Sequence, residues 1–350
     1  MLNVKDNTID FYLAGPGFGE CILLVIGKKI MIGVDCCYGI QQPYKSSLSL
    51  LEDIFSEIED EGRLYWILTH FHSDHFQSLY NVIQEFGENF DKIIIPHSYT
   101  TADIHYNLQN LSISKKLLIS RAHESISSKQ YKEVRKILES ENIKRKTNRL
   151  SGTNILINEV LKTRTKTFSL QVSIYGAFDS DMDRLASNEI KKLMHNTDRM
   201  KINRAVANRG SYIIHLKCGS FEALLLGDAP VDRALDILPD KAIHEPVKTF
   251  ILKVSHHGSK TGTNYELLKK LEPNKEEKYA FLTPFDLNKL PDEEILELLE
   301  QHNYKITISG KTKITYKPKD LISEINFFTE GKIDKFIPTK NSIIHREFEA

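Results

Sequence analysis

A chain of 350 residues with 41% hydrophobic and 27% charged residues has the length and apolar content to bury a sizeable core, as one large domain or two ordinary ones, which excludes the disordered and fibrous classes. Its 47 Lys and Arg offset 47 Asp and Glu, so the molecule as a whole is neither polybasic nor polyacidic. The first seven residues lack the pattern of a secretory signal and no run reaches a membrane-spanning length of apolar residues, so a cytoplasmic protein without membrane contact is expected.

Residues 15–20 are turn-rich and lead into an apolar run at 21–26; Gly27-Lys28-Lys29 separates it from a second run at 30–35, and the pair predicts a β-hairpin. Asp35 closes the second strand, where an inward carboxylate would fix the tautomers of ligand histidines or, more plainly, cap a turn. Leu48, Leu51, Ile54, Phe55 and Ile58 recur at helical spacing up to Gly62. Residues 65–68 are apolar enough for a strand buried on both faces, and Phe76, Leu79, Ile83 and Phe86 predict the helix that follows. Between them lies Thr69-His70-Phe71-His72-Ser73-Asp74-His75, three imidazoles and a carboxylate in six positions. These nitrogen and oxygen donors suit zinc, iron or manganese. An extended backbone points His70 and His72 the same way, and a bend into the next helix lets Asp74 and His75 reach a second ion.

A short strand at 92–96 ends at His97, and from there to about Asn208 the rhythm lapses into an insertion or elaborated lid, with a helix suggested by Tyr131, Val134, Ile137 and Leu138 and a strand face at Phe168, Leu170, Val172 and Ile174. Residues 111–170 hold fourteen Lys or Arg against five Asp or Glu, a local excess that would attract a phosphate backbone or serve as a solvated face. A second hairpin, 211–216 with 221–226, runs into Gly227-Asp228, and a strand at 249–255 ends in His256-His257-Gly258-Ser259. Two further strands, 279–283 and 305–309, flank a helix at 292–302. Cys21, Cys36, Cys37 and Cys218 show no paired spacing and read as reduced core thiols.

The Thr-His-x-His-x-Asp-His loop resembles the signature of the metallo-β-lactamase fold superfamily. Within it, Gly17-Phe18-Gly19-Glu20-Cys21, Asn208-Arg209-Gly210-Ser211 through Gly227-Asp228-Ala229, and Lys253-Val254-Ser255-His256-His257-Gly258-Ser259 resemble the hydrolase domain of ComEC-type DNA-uptake channels and their free-standing relatives. The resemblance covers roughly residues 10–97 and 205–316. It implies an α/β fold, a four-layer αββα sandwich, forming one domain over 1–320 with a basic, partly helical insertion at about 98–205 and a C-terminal extension at 321–350. It further implies one or two divalent ions, zinc or manganese: His70 and His72 at the first, Asp74 and His75 at the second, Asp228 between them, and either His256 or His257 completing the second while the other contacts the leaving group. Asn208 stands where the superfamily usually has histidine; His97, His105, His123 and His195 are possible replacements. Lys253 or Lys260 would add an electrostatic contact.

The implied activity is that of a metal-dependent hydrolase, a phosphodiesterase or nuclease using a metal-activated hydroxide, with nucleic acid held by the basic region 111–170. Two alternatives stand beside it: a small-molecule phosphodiesterase or esterase, and a protein-binding subunit of a multi-protein, defence-type system with a conditional or vestigial site.

Overall fold

The computed structural model describes residues 8–14, 21–36, 45–58, 61–70, 73–76, 79–96, 136, 140–150, 152–162, 167–176, 208–239, 246–271, 275–283, 290–308 and 343–349. They build two seven-stranded sheets. The first is ordered β14-β1-β2-β3-β4-β5-β6 and the second β13-β12-β11-β10-β9-β8-β7. The first contains β1 (Thr8–Ala14), β2 (Cys21–Ile26), β3 (Ile30–Val34), β4 (Arg63–Ile67), β5 (Lys92–Pro96), β6 (Thr147–Leu150) and β14 (Ile343–Glu349). The second contains β7 (Thr153–Lys162), β8 (Thr167–Tyr175), β9 (Ile213–Cys218), β10 (Phe221–Leu225), β11 (Val247–Lys253), β12 (Lys275–Leu282) and β13 (Lys305–Ile308).

Side-chain alternation sorts each strand between two cores. Ile22, Leu24 and Ile26 of β2 point between the sheets, where they meet Leu216, Ala223, Ile251 and other residues of the second sheet. Phe11 and Phe281 touch across this middle layer with ring centroids 4.8 Å apart. The opposite residues of β2, Leu23 and Val25, join Trp66 and Leu68 beneath α1 (Lys45–Glu57) and α3 (Leu79–Phe86), which supply Leu51, Ile54, Leu79, Val82 and Ile83. On the far side, Leu224, Leu252 and Ala280 pack under α5 (Val231–Ile237), α6 (Tyr265–Leu271) and α7 (Glu293–Gln301). The order is therefore helix, sheet, sheet, helix: the four-layer αββα sandwich.

Gly33 pairs with Trp66 across β3 and β4. The indole lies directly over it, and a Cβ there would sit 2.3 Å from Trp66 Cε3. Shorter elements are α2 (Ser73–Phe76), α4 (Glu141–Lys144) and a single 3₁₀ turn at Ser255–Gly258.

Strands β3 to β6 are mutually parallel, as are β10 to β13. Parallel pairs need crossover connections, and helices on the outer faces supply several of them. Residues 147–175, assigned from sequence to the insertion, form β6, β7 and β8 inside the two sheets. Residues 343–349, assigned to the extension, form β14 and pair antiparallel with β1, from Thr8 opposite Glu349 to Ala14 opposite Ile343. Local pattern alone hides both: β7 is a half-exposed edge strand, and β14 meets its partner only through the whole length of the chain. Most of 98–139, and the helix expected at 131–138, lie outside the described residues, as do residues 177–207. Among the described residues no helix is long and apolar enough to cross a membrane.

Candidate metal centre

The C-terminal ends of β3, β4, β10, β11 and β12 meet at one end of the sandwich. Asp35, just past β3, is fully buried and takes a positive φ of 56°. Its Oδ1 accepts from Thr69 N at 2.6 Å, and its Oδ2 accepts from Thr69 Oγ1 at 2.7 Å and from His75 Nδ1 at 2.7 Å. Of the two readings of Asp35, the orientation of histidines is the one realised.

These bonds determine which nitrogens face the centre. Asp35 accepts the His75 Nδ1 proton, so the lone pair of that ring sits on Nε2. Thr69 has a single hydroxyl proton and gives it to Asp35, so its Oγ1 accepts from His70 Nδ1 at 3.1 Å and the His70 lone pair also falls on Nε2. Both Nε2 atoms face Asp228, which follows β10: His75 Nε2 lies 3.3 Å from Oδ1 and His70 Nε2 3.7 Å from Oδ2. Donor atoms of His70, His75 and Asp228 all lie within 4.8 Å of one another, and all three residues are buried.

Two imidazole lone pairs aimed at a buried carboxylate require shared positive charge, from protons or from a cation. Burial pushes the Asp228 carboxyl up, yet positive charge on the neighbouring His75, His256 and His70, present when those rings are protonated, outweighs it and holds Asp228 well below the usual carboxylate range. Asp228 Oδ1 and the buried Asn208 Oδ1 have no hydrogen-bond partner among the described residues. Backbone links bring Asn208 to this end: Ser211 N donates to Asn208 O, and Ser211 Oγ accepts from Asp228 N at 3.4 Å. The donor set fits a divalent cation.

His256 and His257 adopt left-handed backbone, φ 49° and 57°, followed by Gly258 at 84°. For non-glycine residues such φ values cost on the order of 1 kcal/mol each. The turn is held by His256 N donating to Gly227 O, Ser259 N to His256 O and Asp292 N to Gly258 O. A Cβ on Gly258 would lie 2.5 Å from Pro291 Cβ, so glycine is required for space as well as for φ. The turn separates the neighbouring rings, whose centroids are 6.2 Å apart.

His257 is buried, with Nδ1 3.0 Å from Thr283 O and 2.9 Å from Thr283 Oγ1. A carbonyl only accepts, so Nδ1 carries the proton and Nε2 is a ligand-type nitrogen. His256 is 29% exposed, its Nε2 lies 3.8 Å from Asp228 Oδ2, and its Nδ1 lies 3.2 Å from Thr261 Oγ1.

Of the residues expected from sequence, His70, His75, Asp228, His256 and His257 converge, and Asn208 is tied to them through Ser211. His72, His97, His105, His123 and His195 lie outside the described residues, as does the side chain of Asp74. Lys253 is fully buried and donates to Val254 O; Lys260 is exposed. Lys144, Arg145 and Lys146 precede β6 and Lys162 ends β7, so this described part of the basic region lies at the opposite end of the strands from the centre. Thr69 and Ser211 stand in the matched motifs, but their bonds do not follow from them; Thr261 and Thr283 were missed, because a hydroxyl next to a strand end carries no signal until its partner is known. Tyr212 was missed too: its N donates to Thr69 O, and its hydroxyl, 2.8 Å from Ile95 O and 2.6 Å from Leu150 O, shares its one proton between the two carbonyls, stitching the two sheets together.

No protein-family model matches the sequence. ComE operon protein 3 of Bacillus subtilis is 24% identical over 127 residues, covering 35% of this chain and 16% of that protein. Among solved structures, CmlA, a diiron beta-hydroxylase from Streptomyces venezuelae, is 12% identical with a TM-score of 0.38, covering 89% of this chain and 54% of that one. The metallo-beta-lactamase fold protein YhfI from Bacillus subtilis is 10% identical with a TM-score of 0.38, covering 87% and 97%. At such scores the fold rests on the layer order described above. In that layer order and in its histidine-rich loop, the chain resembles the metallo-β-lactamase fold superfamily.

Proposed function

We propose that this chain is a metal-dependent phosphodiesterase, with nucleic acid as its leading substrate class. The observation that carries the metal reading is the convergence of His70, His75 and Asp228 from two sheets, with Asp35 and Thr69 turning both imidazole lone pairs inward. In this reading His70 and His72 would hold one ion, Asp74, His75 and His257 would hold the other, and Asp228 would be a ligand available to both. A divalent ion supplies acidity to water and neutralises charge developing on phosphoryl oxygens. Asp35, Thr69 and Thr283 hold ligand rings in one tautomer, and His256 stands at the solvent-facing edge where a substrate oxygen arrives. The choice of phosphodiester draws on the resemblance of the 253–259 stretch to ComEC-type hydrolase domains.

The position of Lys144 to Lys146 and Lys162 favours a second reading, a small phosphodiester or ester substrate, because these cations do not line the approach to the centre. The deciding experiment is hydrolysis of labelled single- and double-stranded DNA and RNA, and of bis(p-nitrophenyl) phosphate, with Mn²⁺ or Zn²⁺ beside Asp228→Ala. Polymer cleavage lost in the variant supports the nuclease. Cleavage of the small diester alone supports the second reading. Inactivity of the metal-loaded protein on every substrate sinks both and leaves the partner-dependent subunit.

A further inference from the structure

The cations of the 144–162 stretch stand away from the centre, yet two others stand on the segments that carry it. Arg209 follows Asn208, and Lys260 follows the turn that holds His256 and His257. Arg209 is two residues from Ser211, whose Oγ accepts from Asp228 N at 3.4 Å. At about 3.8 Å per residue its Cα lies no more than about 8 Å from that of Ser211, a distance that an arginine side chain spans.

The guanidinium has one partner. Arg209 Nη1 donates to Asp232 Oδ2 at 2.6 Å, while Nη2 and Nε make no bond to the described residues. Asp232 lies four residues past Asp228, in the first turn of α5. Val231 N donates to Thr261 O at 3.0 Å, so the turn with Lys260 rests against the one that leads to Asp232. Other carboxylates on these segments are engaged: Asp236 accepts from Arg233 and Asp292 from Lys260 N. With Glu293 and Glu294 also nearby in sequence, this rim has no general positive field to draw an anion, and a fitted contact is what it can offer.

The two side chains of the Arg209–Asp232 pair are 35% and 64% exposed. Exposed pairs of this kind contribute little to stability and are readily exchanged. A guanidinium matches two oxygens of a phosphoryl group through parallel N–H donors, a stronger arrangement than its single bond to Asp232. We propose that Arg209 is the anion-recognising residue of the centre, held by Asp232 until a phosphoryl group of the substrate takes the carboxylate's place. The proposal rests on the phosphodiesterase reading and names the residue that selects a charged substrate.

A tie between segments and a recognition pair give opposite expectations. If the pair only fastens residues 208–211 to α5, breaking it from either side has the same effect. If Asp232 competes with substrate for Arg209, loss of Arg209 weakens anion binding and loss of Asp232 strengthens it.

The test compares wild type, Arg209→Gln, Arg209→Lys and Asp232→Asn as full chains loaded with Zn²⁺. One arm measures turnover of bis(p-nitrophenyl) phosphate, and the other titrates inorganic phosphate by calorimetry. Arg209→Gln is expected to raise KM and the phosphate Kd about tenfold with little change in kcat, and Arg209→Lys to fall between it and wild type. Asp232→Asn is expected to lower both constants about threefold. Shifts of the same sign in Arg209→Gln and Asp232→Asn, or no shift in either, overturn the proposal and leave a structural pair. An inactive wild type whose phosphate affinity moves in opposite directions in the two variants supports Arg209 and counts against the phosphodiesterase alone. An active wild type with unmoved variants keeps the phosphodiesterase and overturns Arg209, and a loaded wild type with neither turnover nor phosphate binding overturns both.

Discussion

Asp35 Oδ2 lies 2.7 Å from His75 Nδ1 across forty residues of sequence, and the same oxygen accepts from Thr69, whose hydroxyl in turn accepts from His70. One buried carboxylate thus sets the tautomers of two imidazoles that face Asp228.

Asp35→Asn replaces an acceptor pair by one oxygen and one NH₂, so it cannot accept from Thr69 N, Thr69 Oγ1 and His75 Nδ1 together. Metal affinity is expected to fall about 10- to 100-fold, read by competition with a chelator of known affinity. An unchanged dissociation constant would mean that the histidines are oriented by packing alone.

Asp228→Ala removes the carboxylate on which His70, His75 and His256 converge. Wild-type protein is expected to gain thermal stability with Zn²⁺ or Mn²⁺, by about 2.7 kcal/mol at one hundred times the dissociation constant. Chelator reverses that gain, and the variant shows little of it. Differential scanning calorimetry with and without metal decides; an equal gain in both proteins would place the ion elsewhere.

Gly258→Ala is strained by its φ of 84° and by Pro291 at 2.5 Å. A loss of about 1 to 3 kcal/mol is expected in urea unfolding, together with weaker metal binding because the turn carries His256 and His257. Wild-type stability in this variant would show that the turn is not held as tightly as its contacts indicate.

Burial pushes the Cys218 thiol up to about 12. The folded pKa lies above the unfolded one, so this group's contribution to stability is whole below the ordinary thiol pKa and is lost as pH rises towards 12, at no more than about 1.4 kcal/mol per unit. Tyr65 and Tyr175, also raised chiefly by burial, act in the upper part of the same window. Denaturant midpoints from pH 8 to 11 are expected to fall more steeply in wild type than in Cys218→Ala; parallel slopes would assign the alkaline loss to the tyrosines alone.

Much of the fold was legible where local pattern and burial agree. The hairpin at β2 and β3, the apolar β4 and the helical spacing of Leu51, Ile54, Phe55 and Ile58 follow from periodicities of two and 3.6 that a short window contains. The strand β7 was not legible, because its exposed Ile155 and Val160 blur the alternation that Ile157 and Leu161 keep. Nor was β14, whose register with β1 is a contact between the two ends of the chain.

By itself the sequence determined the donor types at the centre and their positions just past buried strands, because ligand chemistry is a property of side chains and strand ends are read from neighbouring residues. Only the tertiary structure decided that two sheets bring His70 and His75 against Asp228, that Asp35 orients both rings, and that His256 and His257 face different partners. Those outcomes depend on hydrogen-bond direction and on left-handed backbone at 256–258. Neither is encoded in residue type or spacing, and both are set by groups distant in sequence that folding brings within about 3 Å.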